Sequence, residues 1–239
     1  MKRAIIIIGG YNALWTAYLG MARHLEDVSG LPAVGVPLAP WDWFRLRWTE
    51  DGSHMMRRVR ETVNWARRKL QAERFVLVGH SAGGLLGRLY LYDGPVWGER
   101  YAGVAHVDTL ITLGSPHCPD KGTRTGWHLT DEANRLVPGA PYSDRVRYVT
   151  VVGRAVEGDP LGKYEQRRAF RGYQYFSPWN DAWGDGIIPL SCAQLDGAET
   201  VVLDGVTHSR RYGGDWYGAS GEIVRRWWPQ PLRGSHDHA

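Results

Sequence analysis

Short apolar runs and helically spaced apolar positions alternate along the chain, and this alternation predicts an α/β fold. The run at 4–8 contains four consecutive isoleucines, which is typical of a strand covered on both faces in a mostly parallel sheet. Further runs predict the other strands, at 34–38, 75–78, 106–113, 146–152 and 200–203. Between the strands, apolar residues recur every three or four positions, as in helices packed on a sheet. This alternation places a ligand site at the carboxyl ends of the strands.

Two long stretches interrupt the alternation and predict insertions. Residues 115–145 and 154–183 are punctuated by Gly and Pro and are weakly periodic, so we expect them to form a lid or rim. The sequence further predicts Ser53 as the cap of a long helix, a loop at 41–48, a closing helix at 215–228 and a flexible tail at 229–239. Since nothing divides residues 1–228, we expect a single domain.

Composition supports one compact domain and narrows the range of partners. The chain has 239 residues, 43% of them hydrophobic, which is enough for a sizeable core. A net charge of +4 is too mild to indicate nucleic-acid binding, although it leaves room for weak contact with a membrane surface. No apolar run approaches the roughly 20 residues of a membrane span.

The N-terminus and the cysteines predict a cytoplasmic protein with free thiols. The apolar run after Met1-Lys2-Arg3 is too short for a signal peptide and lacks a small-residue cleavage site. We therefore expect a cytoplasmic chain, unless a leader was removed. Cys118 and Cys192 form no framework, and lone cysteines inside cells are usually unpaired. Metal-ligand spacing is absent from the His, Cys and Asp residues, so we expect no metal.

One strand–turn–helix segment carries a candidate nucleophile. Gly79-His80-Ser81-Ala82-Gly83 lies between an apolar run and a helical pattern, which is the context of a nucleophile elbow. So sharp a turn exposes the Ser81 hydroxyl and requires small residues two positions to either side. It also points the Ala82 N–H, at the start of a helix, toward a developing oxyanion. A phosphate-binding loop is the alternative, but the Lys-Ser/Thr ending that such a loop needs is absent.

The stretch GHSAGGLLGRLYL, residues 79–91, resembles the elbow of lipase- and esterase-type α/β-hydrolases, including lipase-like families related to GPI inositol-deacylases. The resemblance implies a mostly parallel sheet with helices on both faces and lid insertions. It implies a second oxyanion-hole donor, the backbone N–H of Tyr11, in a turn where Gly9 replaces the usual His. It also implies that His117, in Gly-Ser-Pro-His, is a rim or structural residue. Further candidates for the substrate rim are Trp15, His80 and Trp183.

Loops after the later strands supply the candidate base and acid. His208 follows the last predicted strand, and Asp185 lies in Gly-Asp-Gly-Ile-Ile-Pro, which resembles the acid loop of many lipase-like enzymes. The chain order Ser81, Asp185, His208 is that of α/β-hydrolases. In that arrangement, His208 takes the serine proton and Asp185 fixes the imidazole. The alternative acids nearby are Asp181, Asp196 and Asp204.

Together these residues predict a serine ester hydrolase that works through an acyl-enzyme and needs no cofactor. Twelve Trp and twelve Tyr, many of them in the insertions and at 41–48, favour apolar acyl or lipid esters over sugars and peptides. The first alternative is an acyltransferase that uses the same triad to acylate an alcohol or amine. The second is a non-catalytic binding protein that keeps the fold, although no triad residue is missing.

Overall fold

Six parallel strands form the central sheet of the protein. The structure is a computed structural model that describes residues 1–118, 128–176, 183–212 and 214–229. The strands are β1 (Arg3–Ile8), β2 (Ala33–Gly35), β3 (Arg74–His80), β4 (Val107–Leu113), β5 (Arg147–Arg154) and β6 (Glu199–Asp204). They lie in the order β6-β5-β4-β3-β1-β2, and each neighbouring pair is parallel. All their carboxyl ends therefore meet at one edge.

Helices follow most of the strands, and a short 3-10 turn, Trp15–Tyr18, leads into the first of them. The α-helices of the described ranges are α1 (Leu19–Ser29), α2 (Pro40–Thr49), α3 (Ser53–Lys69), α4 (Ala82–Leu91), α5 (His128–Leu136), α6 (Tyr164–Phe176), α7 (Leu190–Ala193) and α8 (Gly221–Trp227). None of these helices combines the length and apolarity needed to span a bilayer.

The sheet is covered on both faces, which confirms the predicted α/β class. Ile6 and Ile8 of β1 join a buried cluster that includes residues of α2, α3, α4 and α5. Ile5 and Ile7 belong to a second cluster, with residues of α1 and α8. Because successive strand residues face opposite sides, one continuous apolar run serves both clusters. The isoleucine run of the sequence therefore reflects burial on two faces.

The aromatic-rich residues 41–48 form most of α2, so the prediction of a loop there was wrong. Pro40 is the first helical residue, where its missing N–H leaves no helical hydrogen bond unmade. At the same end, the Ala39 N–H donates to Asp42 Oδ2 at 2.9 Å. Trp43 and Leu46 bury one side of the helix. Because large aromatic residues also lie on the exposed side, the apolar positions of this segment show no clear helical period.

Two helix starts also differ from the prediction. Ser53 does not cap α3 but is its first helical residue, and its N–H and hydroxyl both donate to Asp51, at 2.8 and 3.2 Å. The closing helix, predicted from 215, begins at Gly221. Ser220 caps it by accepting the Ile223 N–H at 3.2 Å.

Both predicted insertions contain helices. Within 115–145 the chain forms α5, and within 154–183 it forms α6. The prediction of a flexible tail falls on residues that lie, apart from Pro229, outside the described ones, as do residues 119–127 and 177–182.

Cys118 and Cys192 form a disulfide, so the prediction of two free thiols was wrong. The cysteines are 74 residues apart, and a separation of that size gives no signal in the sequence. The fold brings Cys118, which follows β4 closely, against α7, where its N–H donates to the Cys192 carbonyl at 2.8 Å. Both side chains are buried. The prediction relied on the usual state of cysteines inside cells and took no account of a contact that only the fold creates.

Candidate active site

Ser81 lies in a sharp turn between β3 and α4, at the carboxyl edge of the sheet. Its backbone has φ 54° and ψ −128°. A non-glycine residue in such a positive-φ conformation stores about 1–3 kcal/mol of strain. The Ser81 N–H donates to the Leu113 carbonyl on β4 at 2.8 Å, and its own carbonyl accepts the Gly84 N–H at 3.0 Å. The turn leaves Ser81 half-buried, whereas its two neighbours are buried.

Two glycines permit this turn. A Cβ at Gly79 would lie 2.4 Å from the Gly84 Cα, and one at Gly83 would lie 2.2 Å from the Ile8 carbonyl oxygen. Both clashes are with backbone atoms, so no side-chain movement relieves them. The positions two before and two after Ser81 therefore have to be glycine, in agreement with the sequence argument.

The turn after β1 lies directly beside Ser81. A Cβ at Gly10 would lie 2.8 Å from the Ser81 Cβ, so only glycine allows this approach. Tyr11 follows at the surface, with its ring edge-on to Trp43 at a centroid distance of 5.8 Å. Ala82 is the first residue of α4, and the first N–H groups of a helix have no partner within it. The structure thus brings the two predicted oxyanion-hole segments to the same serine.

Asp185 and His208 are joined by a hydrogen bond. The His208 Nδ1 donates to Asp185 Oδ2 at 2.8 Å, and the His208 backbone N–H donates to the Asp185 carbonyl, also at 2.8 Å. Both side chains are buried, and Asp185 is only 1% exposed. Among the described residues, Ser81 Oγ forms no hydrogen bond with the His208 ring. Catalytic hydrogen bonds are often long in ligand-free sites and tighten with the substrate.

The Asp185 carboxylate accepts four hydrogen bonds. Its Oδ1 accepts the N–H groups of Ile187 at 3.0 Å and Ile188 at 2.8 Å, and its Oδ2 accepts the Tyr217 hydroxyl at 2.8 Å besides His208. Burial by itself raises the pKa of the Asp185 carboxyl, but the nearby His208 and these hydrogen bonds outweigh burial and hold that pKa below its usual range. The group is therefore an anion with a fixed direction.

The alternative acids are placed differently. Asp204 is exposed and forms an ion pair with Arg154, whose Nε lies 2.6 Å from Asp204 Oδ1. Asp196 is exposed, and its carbonyl oxygen lies near Gly139. Asp181 lies outside the described residues.

His80 links the Gly10 turn to the His208 loop through hydrogen bonds of its two ring nitrogens. Its Nε2 faces the His208 carbonyl at 2.9 Å, so this nitrogen carries the hydrogen. Its Nδ1 then accepts the Tyr18 hydroxyl at 2.8 Å, and the Tyr18 oxygen accepts the Gly10 N–H at 2.8 Å. Burial, together with the nearby His208, lowers the pKa of His80 to about 3, so the ring is neutral. A continuous hydrogen-bonded chain therefore runs from the Gly10 turn to the His208 loop.

Of the four candidate rim residues, Trp15 and Trp183 are accessible. Trp183 is 41% exposed and directly precedes the Gly184-Asp185 loop, and Trp15 is half-buried with its ring beside Gly35. His80 and His117 are buried and bonded to protein groups, so the structure contradicts their assignment to a rim. Of the two roles predicted for His117, rim or structural, the structural role remains.

His117 belongs to a buried polar cluster that includes residues of α4 and α5. The Arg88 guanidinium donates to His117 Nδ1 at 3.3 Å, and His117 Nε2 donates to Thr112 Oγ1 at 2.9 Å. Arg88 also donates to Asn134 Oδ1 at 2.9 Å and to the Val137 carbonyl, just beyond the end of α5. Burial lowers the pKa of Arg88 to about 10. This cluster fixes α5, which belongs to the first insertion, against the elbow helix.

Sequence reasoning missed three of the polar residues that hold the site: Tyr18, Arg88 and Tyr217. In the sequence, each of them fits an ordinary position in a helix or among packed aromatic residues. No local motif indicates that its polar group forms a buried hydrogen bond. In the described ranges, no group of three or more His, Cys, Asp or Glu side chains is arranged to hold a metal.

The order of the loops matches the α/β-hydrolase arrangement. The elbow follows β3, the Asp185 loop follows β5 after an insertion, and the His208 loop follows β6. All three emerge at the carboxyl edge of a parallel sheet. The α/β-hydrolase fold predicted from the elbow is therefore confirmed.

No protein-family model matches the sequence, and no curated protein sequence is similar to it. In structure, the chain is similar to the NocB thioesterase domain, solved in covalent complex with a fluorophosphonate nocardicin G analogue (14% identity, TM-score 0.49, 96% of each chain covered). It is also similar to an α/β serine hydrolase homologue from Coxiella burnetii (14% identity, TM-score 0.47, 94% of this chain and 80% of that one). A third similar structure is Est1E from Butyrivibrio proteoclasticus (16% identity, TM-score 0.46, 87% of this chain and 79% of that one). At these identities and TM-scores, the likenesses assign no activity to this chain.

Proposed function

We propose that this protein is a serine ester hydrolase in which Ser81, His208 and Asp185 form a catalytic triad. The observation that carries the proposal is the buried Asp185–His208 hydrogen bond of 2.8 Å, at the same sheet edge as a serine in a strained elbow. A binding protein has no need to bury an ionised carboxylate and orient it on an imidazole. A nucleophilic serine needs both, because its hydroxyl is too weak an acid to react unaided.

Each residue has one task in the reaction. Ser81 Oγ attacks the acyl carbon of the ester, while the His208 Nε2 takes its proton and later returns it to the leaving alkoxide. Asp185 accepts the Nδ1 hydrogen, which fixes the tautomer and stabilises the imidazolium. The backbone N–H groups of Tyr11 and Ala82 stabilise the negative oxygen of the tetrahedral intermediate. A water molecule, activated by His208, then hydrolyses the acyl-enzyme.

Apolar acyl or lipid esters are the proposed substrates. Trp183 and Trp15 are accessible beside the Asp185 and Tyr11 loops and offer apolar ring surface to an acyl or alkyl group. We propose one catalytic domain, residues 1–228, with the insertions at 115–145 and 154–183 around the site. The predicted cytoplasmic location meets one contrary observation, the Cys118–Cys192 disulfide, since such bonds persist mainly in oxidising compartments.

The test is hydrolysis of p-nitrophenyl esters with acyl chains of increasing length. We expect Ser81→Ala to abolish turnover while the protein keeps its melting temperature, and a fluorophosphonate probe to label Ser81 alone. Asp185→Asn keeps the shape but favours the wrong tautomer, a loss of about 10⁴-fold in kcat. Asp204→Asn is the matched control, since its carboxylate is exposed and bonded to Arg154, and we expect it to lose at most about tenfold.

Wild-type turnover in the Ser81→Ala protein would overturn the proposal. Equal losses in Asp185→Asn and Asp204→Asn would remove Asp185 from the triad. Adding alcohols or amines to the same assay distinguishes hydrolysis from acyl transfer, because an acyltransferase diverts its product to the added acceptor.

A further inference from the structure

The outer face of α2 carries three large aromatic side chains that the rest of the described chain leaves uncovered. Trp41 is 73% exposed, Phe44 52% and Trp48 81%. At spacings of three and four residues they lie on one face, and their rings stack at centroid distances of 5.3 and 6.3 Å. These three residues are called the aromatic stripe below.

The aromatic stripe is not needed for the core. The opposite face of α2 is buried through Asp42, Trp43 and Leu46, which already attach the helix to the body of the protein. Exposed residues of this size normally occur singly, whereas a contiguous row on one helix marks an interaction surface. The aromatic stripe is such a row.

Its flanks are positively charged. Arg45 and Arg47 are exposed and lie on opposite sides of the aromatic stripe, since residues of a helix are spaced by about 100°. Neither arginine forms an ion pair with any other described residue. An amphipathic helix with aromatic rings at its outer pole and arginines beside them fits the boundary between lipid headgroups and acyl chains. A second copy of the chain fits less well, because it would bring four arginines together in a protein of net charge +4.

The helix α2 also contacts the turn beside Ser81 and the first predicted insertion. At one end, the Trp43 ring lies against Tyr11, in the oxyanion turn. At the other end, Glu50 Oε1 lies 2.7 Å from His128 Nε2, at the start of α5 in the first insertion. The helix that carries the aromatic stripe is therefore joined through Trp43 to the Tyr11 turn and through Glu50 to the first predicted insertion.

We propose that the aromatic stripe is a docking surface for an anionic phospholipid membrane. Its rings enter the interface between headgroups and acyl chains, and Arg45 and Arg47 bind lipid phosphates. Docking through α2 brings the Tyr11 side of the site to the membrane, and this consequence, delivery of lipid esters, rests on the proposed function.

Cosedimentation with phosphatidylcholine vesicles, with or without phosphatidylserine, tests the docking itself. We expect the wild-type protein to bind the anionic vesicles and a Trp41→Ser, Phe44→Ser, Trp48→Ser triple variant to lose at least about tenfold in partition coefficient. Arg45→Gln with Arg47→Gln should cost about fivefold per arginine on anionic vesicles and nothing on phosphatidylcholine alone. Trp65→Ser is the matched control, since Trp65 is 43% exposed on α3 and lies outside the stripe.

Activity on a water-soluble short-chain ester separates this proposal from the proposed function. The triple variant should hydrolyse that ester like the wild type, and Ser81→Ala should bind vesicles like the wild type. A wild-type protein that stays in the supernatant overturns the docking proposal, as does a triple variant that sediments like the wild type. A dimer that the triple variant abolishes, without vesicle binding, assigns the stripe to self-association and overturns it equally.

Discussion

His80 offers a sharp test of how the candidate site is held together, because its two ring nitrogens bind different loops. Nε2 donates to the His208 carbonyl, and Nδ1 accepts the Tyr18 hydroxyl. A glutamine amide nitrogen reaches about as far as Nε2, whereas an asparagine amide reaches only as far as Nδ1. His80→Gln therefore keeps the bond to the His208 loop, and His80→Asn loses it.

The magnitude follows from the bond that is lost. In His80→Asn the His208 carbonyl keeps no donor in a buried position, which costs about 1–3 kcal/mol. If that cost appears as displacement of the His208 imidazole from its reactive position, kcat falls by about 5- to 150-fold. His80 is 5% exposed and bonded to protein on both sides, so it does not touch the substrate and KM should stay unchanged.

Steady-state hydrolysis of one p-nitrophenyl ester by both variants measures the effect, with melting temperatures recorded beside it. We expect His80→Gln to keep kcat within about tenfold of the wild type and His80→Asn to show the larger loss. A purely structural role would lower the stability of both variants and leave the kcat of the folded fraction alike. Equal kcat values, or a change confined to KM, would refute the positioning role.

Two further predictions use the same assay and a denaturation series. Tyr11→Ala should keep most of kcat because the proposed donor is the backbone N–H, whereas Tyr11→Pro removes that N–H and should cost about 10²–10³-fold; equal losses would show that the side chain matters instead. Urea unfolding between pH 7 and pH 4 should show a loss of stability with falling pH, because burial lowers the pKa of His80 to about 3 and that of His117 well below its usual value. The unfolded chain binds the protons that the folded chain excludes, so each histidine should contribute a slope of about 1.4 kcal/mol per pH unit below its unfolded pKa, and an unchanged slope in His80→Gln would contradict this.

The sequence was sufficient to predict the α/β fold and to propose the reacting residues, because both depend on local rules. A strand buried on both faces must be a continuous apolar run, as the isoleucines of β1 are. A serine at positive φ needs glycine two positions away on either side, and this requirement appears directly as a motif around Ser81. Asp185 and His208 could be proposed because parallel strands bring their following loops to one edge.

The residues that position the proposed catalytic groups could not be predicted. Their hydrogen-bond partners are distant in the sequence, and at their own positions the sequence pattern indicates only a large apolar side chain. Tyr18 lies 62 residues from His80, and Tyr217 lies 32 residues from Asp185. In the sequence, each tyrosine fits an apolar position; its hydroxyl gains a role only when the fold brings a buried acceptor within about 3 Å. The same holds for the aromatic stripe, since nothing in residues 41–48 separates the exposed Trp41 from the buried Trp43 until the helix is placed on the sheet. A catalytic motif formed by residues adjacent in the sequence can be predicted from that sequence. Hydrogen bonds and surfaces formed by residues distant in the sequence become visible only in the folded structure.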